Sequence, residues 1–538
     1  MDHHRFRQRY ASSFLTSARL QTTSNENSAS GAPGGATPVR DAAAVILLRP
    51  HTDPHNPEVF WVKRSTKLAF LGGYRAFPGG QRESADAEVK VRNCDDIDRA
   101  AMISCAAREL FEEVFVLLAR GANTLTVGQR ASLFDDLESG RLTWPQMLAH
   151  YGLHLDADDF TFVGRWVTPP FAPRRFDTWF FLAHCPTKQV PQVTEDSELE
   201  SGEWIQAREA YTRWQRSELI VVPPVLHGMR TLAGGLTDDL VERFLAVPEA
   251  HQQPNRRMEF YPNYICFPVR TPTKPPATHT NCYLITSPEE FLIVDPGSPY
   301  EDEQTALAEC VDDLIRKGRL KPREIILTHF HPDHIAGVNA LNEFLERKHR
   351  RRIPVATHRL TAEPLKDQFA VDRFIEDSDL IEMENTRLRA LYTPGHARGH
   401  LCLYDERTGA LISGDNVVGF GSVLIDPADG NMREYLASLD RMRALPDLSV
   451  LFGGHGPPVA NPYEKLDEYI AHRLERERMI LDAVREGAAS PREIVALVYR
   501  DVSPKAHAMA ERAVLAHLAK LIGDGLVRRN SGGDYAPV

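Results

Sequence analysis

At 538 residues the chain exceeds what one ordinary core supports, so about three folded units are expected. Hydrophobic residues make up 42% and charged ones 25%, the balance of a soluble globular protein, and no apolar run is long enough to span a bilayer. A net charge of −11 argues against a general nucleic-acid coat, and seven scattered cysteines with no CxxC pair suggest neither a disulfide framework nor a zinc ribbon, which favours a reducing, cytoplasmic interior.

Residues 1–40 read as a disordered tail, with Ser, Thr, Asn, Gly, Ala and Pro over 22–38. In the first 25 residues Arg5, Arg7, Arg9 and Arg19 against the single acid Asp2 bear a faint likeness to an organelle transit peptide, but a plain tail is favoured. Structure is expected from Asp41, where AAAVILL reads as a buried strand and VFWVKR (59–64) as its hairpin partner. A long helix is predicted over 98–119. Within it Glu109, Glu112 and Glu113 fall on one face at spacings of three and four. Clustered carboxylates repel, at a cost that bound Mg²⁺ offsets. Taken alone, this helix reads as a solvated charged face. Strands follow up to WFFLAHC (179–185), then two helical segments that close the first unit at 247. The polar stretch 248–257 reads as a linker.

Beyond it, apolar runs such as FLIVD, EIILTH, ALISGD and SVLFGGH repeatedly end in an acid or a histidine. These are expected to be buried strands that deliver polar groups from their carboxy-terminal ends, with helices at 302–317, 338–348 and 433–444 between them. The segment EIILTHFHPDHIAG is the most informative in the chain. His329 and His331 alternate with Phe330, so at a strand end both rings point to one side, and Asp333 and His334 follow where a turn and a helix start can swing them round. Imidazole and carboxylate together suit zinc, with iron or manganese as alternatives. His396, Asp415 and His455 each follow an apolar run and stand beside glycine, where the backbone can approach a metal closely. After 470 the pattern is helical and ends in a small β wing. This tail has 11 Lys and Arg against 9 Asp and Glu, with Tyr499 and Tyr535 its aromatics, weak equipment for binding a nucleic-acid strand.

Two resemblances organise these segments. The HxHxDH run, with His396, Asp415 and His455, resembles the metallo-β-lactamase superfamily over about 258–470. That resemblance implies an αββα sandwich and two Zn²⁺ (or Fe or Mn). One would sit on His329, His331 and His396, the other on Asp333, His334 and His455, with Asp415 bridging and Asp333 also counted as catalytic. It further implies a supporting role for Asp295 and activation of a bridging water. For His400 three roles stay open: binding substrate, orienting a ligand, or being a satisfied buried histidine. His279 and His358 read as structural. HRLERE and the ending of the tail resemble the winged-helix-like domain of a β-lactamase-like branch that includes single-strand RNA endonucleases. AFPGGQRESAD followed by Arg108-Glu109-Leu110-x-Glu112-Glu113 resembles the Nudix box, which implies Mg²⁺ or Mn²⁺ on the glutamates, with Arg108 orienting them. Asp86 replaces a glutamate of that box, Phe115 replaces a glycine and could disturb the helix end, and the spacer between its parts is longer than usual. The flanking segments resemble the coenzyme A diphosphatase branch.

The expected fold class is therefore multidomain α/β and α+β. A Nudix α/β/α sandwich (41–247) precedes an αββα sandwich (248–470) and a winged-helix-like domain (471–538). The expected function is a bifunctional metal-dependent hydrolase of small molecules. One half would cleave a thioester, ester or phosphodiester, the other a nucleoside-diphosphate-linked compound, with coenzyme A or acyl-CoA the leading guess. The alternatives are an RNA endonuclease whose Nudix half only binds, and a nucleotide-sensing scaffold with a decayed Nudix site. No membrane partner is expected, and a homo-oligomer is compatible with the sequence.

Overall fold

Ten consecutive residues from Val39 to Leu48 form the central strand of the first unit, and their side chains divide between two layers. Ala43, Val45 and Leu47 face one core, while Ala44, Ile46 and Leu48 face the other. The computed structural model describes residues 38–68, 70–170, 172–193, 198–253, 255–500 and 502–538. The expected tail thus lies outside the described residues except for its last three. Of these, Val39 and Arg40 already pair with Arg175 and Phe176, so the strand starts two residues before the expected Asp41.

This strand runs parallel to Arg175–His184 and antiparallel to Glu58–Arg64 in a seven-stranded sheet. The acidic helix Ile97–Val114 covers one face, and the helices Ala207–Gln215, Pro223–Ala233 and Leu240–Leu245 cover the other. The acidic helix stops five residues short of the predicted 119. Phe115 turns left-handed (φ 59°, ψ 24°) and its N–H closes onto the carbonyls of Leu110 and Phe111. The Phe115 ring stacks on Phe111 and meets Phe134 edge-on, which compensates for a side chain in a conformation that favours glycine. The helix end is therefore well formed.

The stretch expected as a free linker is tied down. His251 forms a bridge with Arg165, and Gln252 donates to Asp177 at 2.8 Å.

Two further sheets stack face to face. One has seven strands, running from Met258–Tyr261 through Lys321–Ile326 to Arg373–Phe374; the other has five, from Leu380–Met383 to Val450–Gly453. Tyr264, Tyr283, Leu292 and Ile326 of the first meet Leu388, Leu403, Ile412 and Phe452 of the second. Helices Glu301–Arg316 and Val338–His349 cover the outer face of one sheet, and Met432–Arg443 covers that of the other, giving four layers. The core between the sheets also takes in Tyr74 and Ile220 from the first unit. Tyr74 donates to the Pro458 carbonyl at 2.8 Å and Trp214 to that of Phe260 at 3.2 Å.

Helix Pro462–Arg485 runs unbroken across the expected boundary at 470. It leads into helices Pro491–Val498 and His507–Gly523 and a hairpin of Val527–Arg529 with Tyr535–Pro537, built on a small core of Ile480, Val495, Leu518 and Val527. Among the described residues no helix is long and apolar enough to cross a membrane.

Candidate metal centre

The strand Lys321–Ile326 ends earlier than the motif suggests, so His329 and His331 lie on a loop rather than on a strand end. Asp295 is the reason. Its carboxylate accepts from the Thr328 backbone N–H at 2.8 Å and from the Thr328 hydroxyl at 2.6 Å, drawing the chain out of the sheet. Helix Pro332–Ile335 then begins, as expected, and carries Asp333 and His334 round to the adjacent position.

The proton positions can be deduced from the partners of each ring. The Thr328 hydroxyl gives its hydrogen to Asp295, so at 3.0 Å it accepts from His329 Nδ1 and leaves His329 Nε2 a bare lone pair. His331 Nε2 donates to Asp429 at 2.7 Å and His396 Nδ1 to the Leu424 carbonyl at 3.1 Å, which bares His331 Nδ1 and His396 Nε2. These three bare nitrogens converge: His331 Nδ1 is 3.0 Å from both of the others.

A second group forms alongside. His334 Nδ1 donates to Asp295 at 2.8 Å and His455 Nδ1 to the His279 carbonyl at 2.8 Å, so both Nε2 atoms face Asp333 and Asp415. Asp415 stands between the groups, 3.3 Å from His455, 3.4 Å from His334 and 3.7 Å from His396. His334 Nε2 and Asp415 Oδ1 are buried and have no hydrogen-bond partner. The triads His329–His331–His396 and Asp333–His334–His455 each bring their ligand atoms within 4.8 Å of one another, as do Asp295, His329 and His334. Lone pairs packed this closely repel, and an orphaned polar pair is costly. Cations resolve both problems, so the residues fit a two-metal centre.

Electrostatics agree with this reading. Burial and the neighbouring rings hold His329 and His396 well below the ordinary imidazole range. Burial opposes protonation of His334 too, but Asp415 and Asp295 lift it well above that range, the mark of a negative field that favours positive charge at this spot. Gly454 is required beside the centre, because a Cβ there would lie 2.3 Å from Asp415 Oδ1.

His400 lies behind Asp415. Its Nε2 accepts from the Asp415 N–H at 3.2 Å, its Nδ1 faces the Thr393 hydroxyl at 3.1 Å, and burial pushes its pKa down to about 3. These bonds satisfy the buried ring and tie it to the Asp415 backbone, and none of them reaches the Asp415 carboxylate. His279 takes part through its carbonyl, and His358 stacks on Tyr392.

Sequence reasoning missed Asp429, which sits in an irregular loop (DPADG) where Asp426, not Asp429, closes the short apolar run VLI. It also missed Thr328 and the carbonyls of Leu424 and His279. Backbone acceptors have no sequence signal at all.

The acidic helix gathers a separate cluster. Arg108 is almost completely buried and donates to Asp86 (3.1 and 3.0 Å), Glu109 (2.9 Å), Glu112 (2.7 Å) and the Gln81 carbonyl (2.9 Å). Glu113 accepts from the Gly79 N–H at 2.8 Å, and a Cβ on Gly80 would come within 2.4 Å of Glu109. Burial pushes Glu112 up to about 7 and Glu113 up to about 8. Asp86, shorter than the glutamate expected there, still reaches Arg108 and also caps the Glu83 N–H at 2.8 Å.

Comparison with known proteins places these features. The family profile described as Metallo-beta-lactamase superfamily matches residues 275–455, and that of the Beta-lactamase associated winged helix domain matches 490–534. A Beta-lactamase-like protein 2 homolog of Caenorhabditis elegans is 28% identical over 250 residues, covering 46% of this chain and 80% of that protein. An Atrochrysone carboxyl ACP thioesterase of Aspergillus chevalieri is 29% identical over 257 residues, covering 46% and 76%. Among solved structures, a NUDIX hydrolase from Alicyclobacillus acidocaldarius is 30% identical, covering 38% of this chain and 95% of its own, with a TM-score of 0.33. The chain therefore carries a metallo-β-lactamase superfamily domain followed by its associated winged helix, and it is a metal-dependent hydrolase.

Proposed function

We propose that the chain is a bifunctional hydrolase. The histidine–aspartate centre would split a thioester, ester or phosphodiester, and the acidic helix of a Nudix-like half would serve Mg²⁺-dependent cleavage of a diphosphate. Coenzyme A or an acyl-CoA is the shared substrate of choice. The observation that carries the first activity is the pair of adjoining ligand groups, His329–His331–His396 and Asp333–His334–His455, with Asp415 facing His334 and His455 of one and His396 of the other.

His329, His331 and His396 would hold one divalent cation and Asp333, His334 and His455 another, with Asp415 facing both groups; such ions would supply Lewis acidity and bring the pKa of water near neutrality. The protein's part is to keep the ligand atoms deprotonated and aimed. Asp295, Asp429 and the carbonyls of Leu424 and His279 each take a ring proton on the far side, which fixes the tautomer. Relatives named thioesterases, 24–29% identical over about half of this chain, support a thioester as the scissile bond.

The second activity is supported by Glu113 bonded to Gly79, Glu109 against Gly80, and Glu112 joined to Glu109 through Arg108. Mg²⁺ or Mn²⁺ there would offset the mutual repulsion of the carboxylates. Arg108 holds Glu109 and Glu112 in place from behind.

Separate variants test the pairing on acyl-CoA. His331→Ala is expected to abolish thiol release and leave diphosphate cleavage intact, and Glu112→Gln to do the reverse. If wild-type protein releases neither product and His331→Ala changes nothing, the pairing is wrong. A chain that only senses nucleotides has no turnover for Glu112→Gln to remove.

A pH effect accompanies the acidic cluster. Without divalent cations Glu112 and Glu113 keep their protons up to about pH 7 and 8 in the folded protein, whereas their ordinary value is 4.5. Their stabilising share is full below 4.5 and is lost as pH rises through 7 to 8. The chelated protein is expected to lose denaturation midpoint across that window, and Mg²⁺ to restore it at pH 8. A midpoint indifferent to both pH and Mg²⁺ would remove the acidic helix as a cation site.

A further inference from the structure

The two ring contacts made by Leu424 and Asp429 come from one segment, 417–431, which joins Asn416 to helix Met432–Arg443 and contains no helix or strand. Such a segment has no ladder of its own to set its shape. Its shape comes from what grips it: its ends are tied to the His455 and Gly395 carbonyls, through Gly419 N–H and Asn431 N–H at 2.8 Å each, and the stretch between them is held by the C-terminal helices.

Arg473, buried on helix Pro462–Arg485, donates to the Ser422 hydroxyl at 2.8 Å and to the Val423 carbonyl, beside the Leu424 that receives His396. Tyr469, one turn earlier, donates to the Gly421 carbonyl at 3.1 Å. On helix His507–Gly523, Arg512 forks onto both oxygens of Asp426, at 3.1 and 3.0 Å from Nε. The Asp426 carbonyl in turn accepts from Asp429 N at 3.2 Å and Gly430 N at 2.7 Å, closing the turn that presents Asp429 to His331. Arg433, just beyond the segment, pairs with Asp524 of the same unit.

We propose that the winged-helix unit is a brace for the metal centre, with Arg512 and Arg473 as positioning residues that act on His331 and His396 through this segment. The inference rests on reading His329, His331 and His396 as the ligands of one cation. It also gives a use to cations that strand binding would need free: Arg473 and Arg512 are committed to the segment, and Lys520 to Glu477 and Asp524. Guanidinium suits this task, since its planar fork meets a carboxylate through two bonds at once.

Zinc retention in the full-length chain provides the test, read by chelator competition that resolves two ions. Asp429→Ala, which strips His331 of its partner, is expected to weaken one zinc by about 10- to 100-fold. Arg512→Ala should weaken the same ion and spare the other, and should add little to Asp429→Ala in the double variant, because the two act in series. Arg512→Lys is expected to fall between wild type and Arg512→Ala. Hydrogen exchange at amides 421–430 of the metal-free protein should speed up in Arg512→Ala, a readout independent of turnover. The charge-exchanged pair Asp426→Arg with Arg512→Asp should recover retention and protection. Zinc affinities within about twofold of wild type, equal weakening of both ions, or additivity with Asp429→Ala would each overturn the brace. Wild-type protein that retains no zinc at all would sink the reading of the centre itself, and the brace with it.

Discussion

Asp415→Ala is expected to lower turnover at the metal centre by about 10³-fold, while the diphosphate cleavage proposed for the acidic helix stays within a factor of two. The size follows from position. Asp415 faces His334 and His455 of one group and His396 of the other, so its loss loosens both cations together. Metal Lewis acidity contributes several kcal/mol of charge stabilisation, and about 4 kcal/mol corresponds to roughly 10³ in rate. Metal analysis should fall in parallel, with fewer than two ions per chain after dialysis. Asp415→Ala protein that keeps two ions and full activity would show that the two groups do not form one centre.

The largest stability effect is expected away from that centre, at Arg108→Ala. Arg108 neutralises Asp86, which is completely buried, and bonds Glu109 and Glu112 as well. Truncating it leaves buried charge uncompensated, at a cost of about 3–5 kcal/mol. Denaturant unfolding should show this as a lower midpoint with an unchanged slope. An exposed pair offers the contrast: Arg441 and Asp377 lie 2.8 Å apart, yet Arg441→Ala should cost less than about 1 kcal/mol. Equal losses for the two variants would mean that the buried network contributes no more than surface charge does.

Periodicity and motif spacing made much of this legible. AAAVILL could be read as a doubly buried strand because a continuous apolar run has layers on both sides, and the structure divides its residues between two cores. The candidate ligands were legible for a different reason. His329, His331, Asp333 and His334 lie within six positions, and His396, Asp415 and His455 each close an apolar run. What was not legible depends on three-dimensional neighbours. The left-handed turn at Phe115 relies on stacking against Phe111 and Phe134, the early strand end at Ile326 on an aspartate far back in the chain, and Asp429 on a turn that Arg512 holds from the C-terminal helices. A helix that continues through 470 likewise shows no composition shift at the point where its packing partners change.

The placement of Tyr74 and Ile220 inside the core of the stacked sheets has a practical outcome for anyone wishing to study the halves apart. A gene cut at the junction near 247 would leave the upstream piece with an aromatic plug and nothing to seat it, and the downstream piece with the matching socket open to water. Neither product is expected to stay dispersed at concentrations suited to spectroscopy. The join here is thus no loose tether between separable folding units but a joint sealed by apolar side chains.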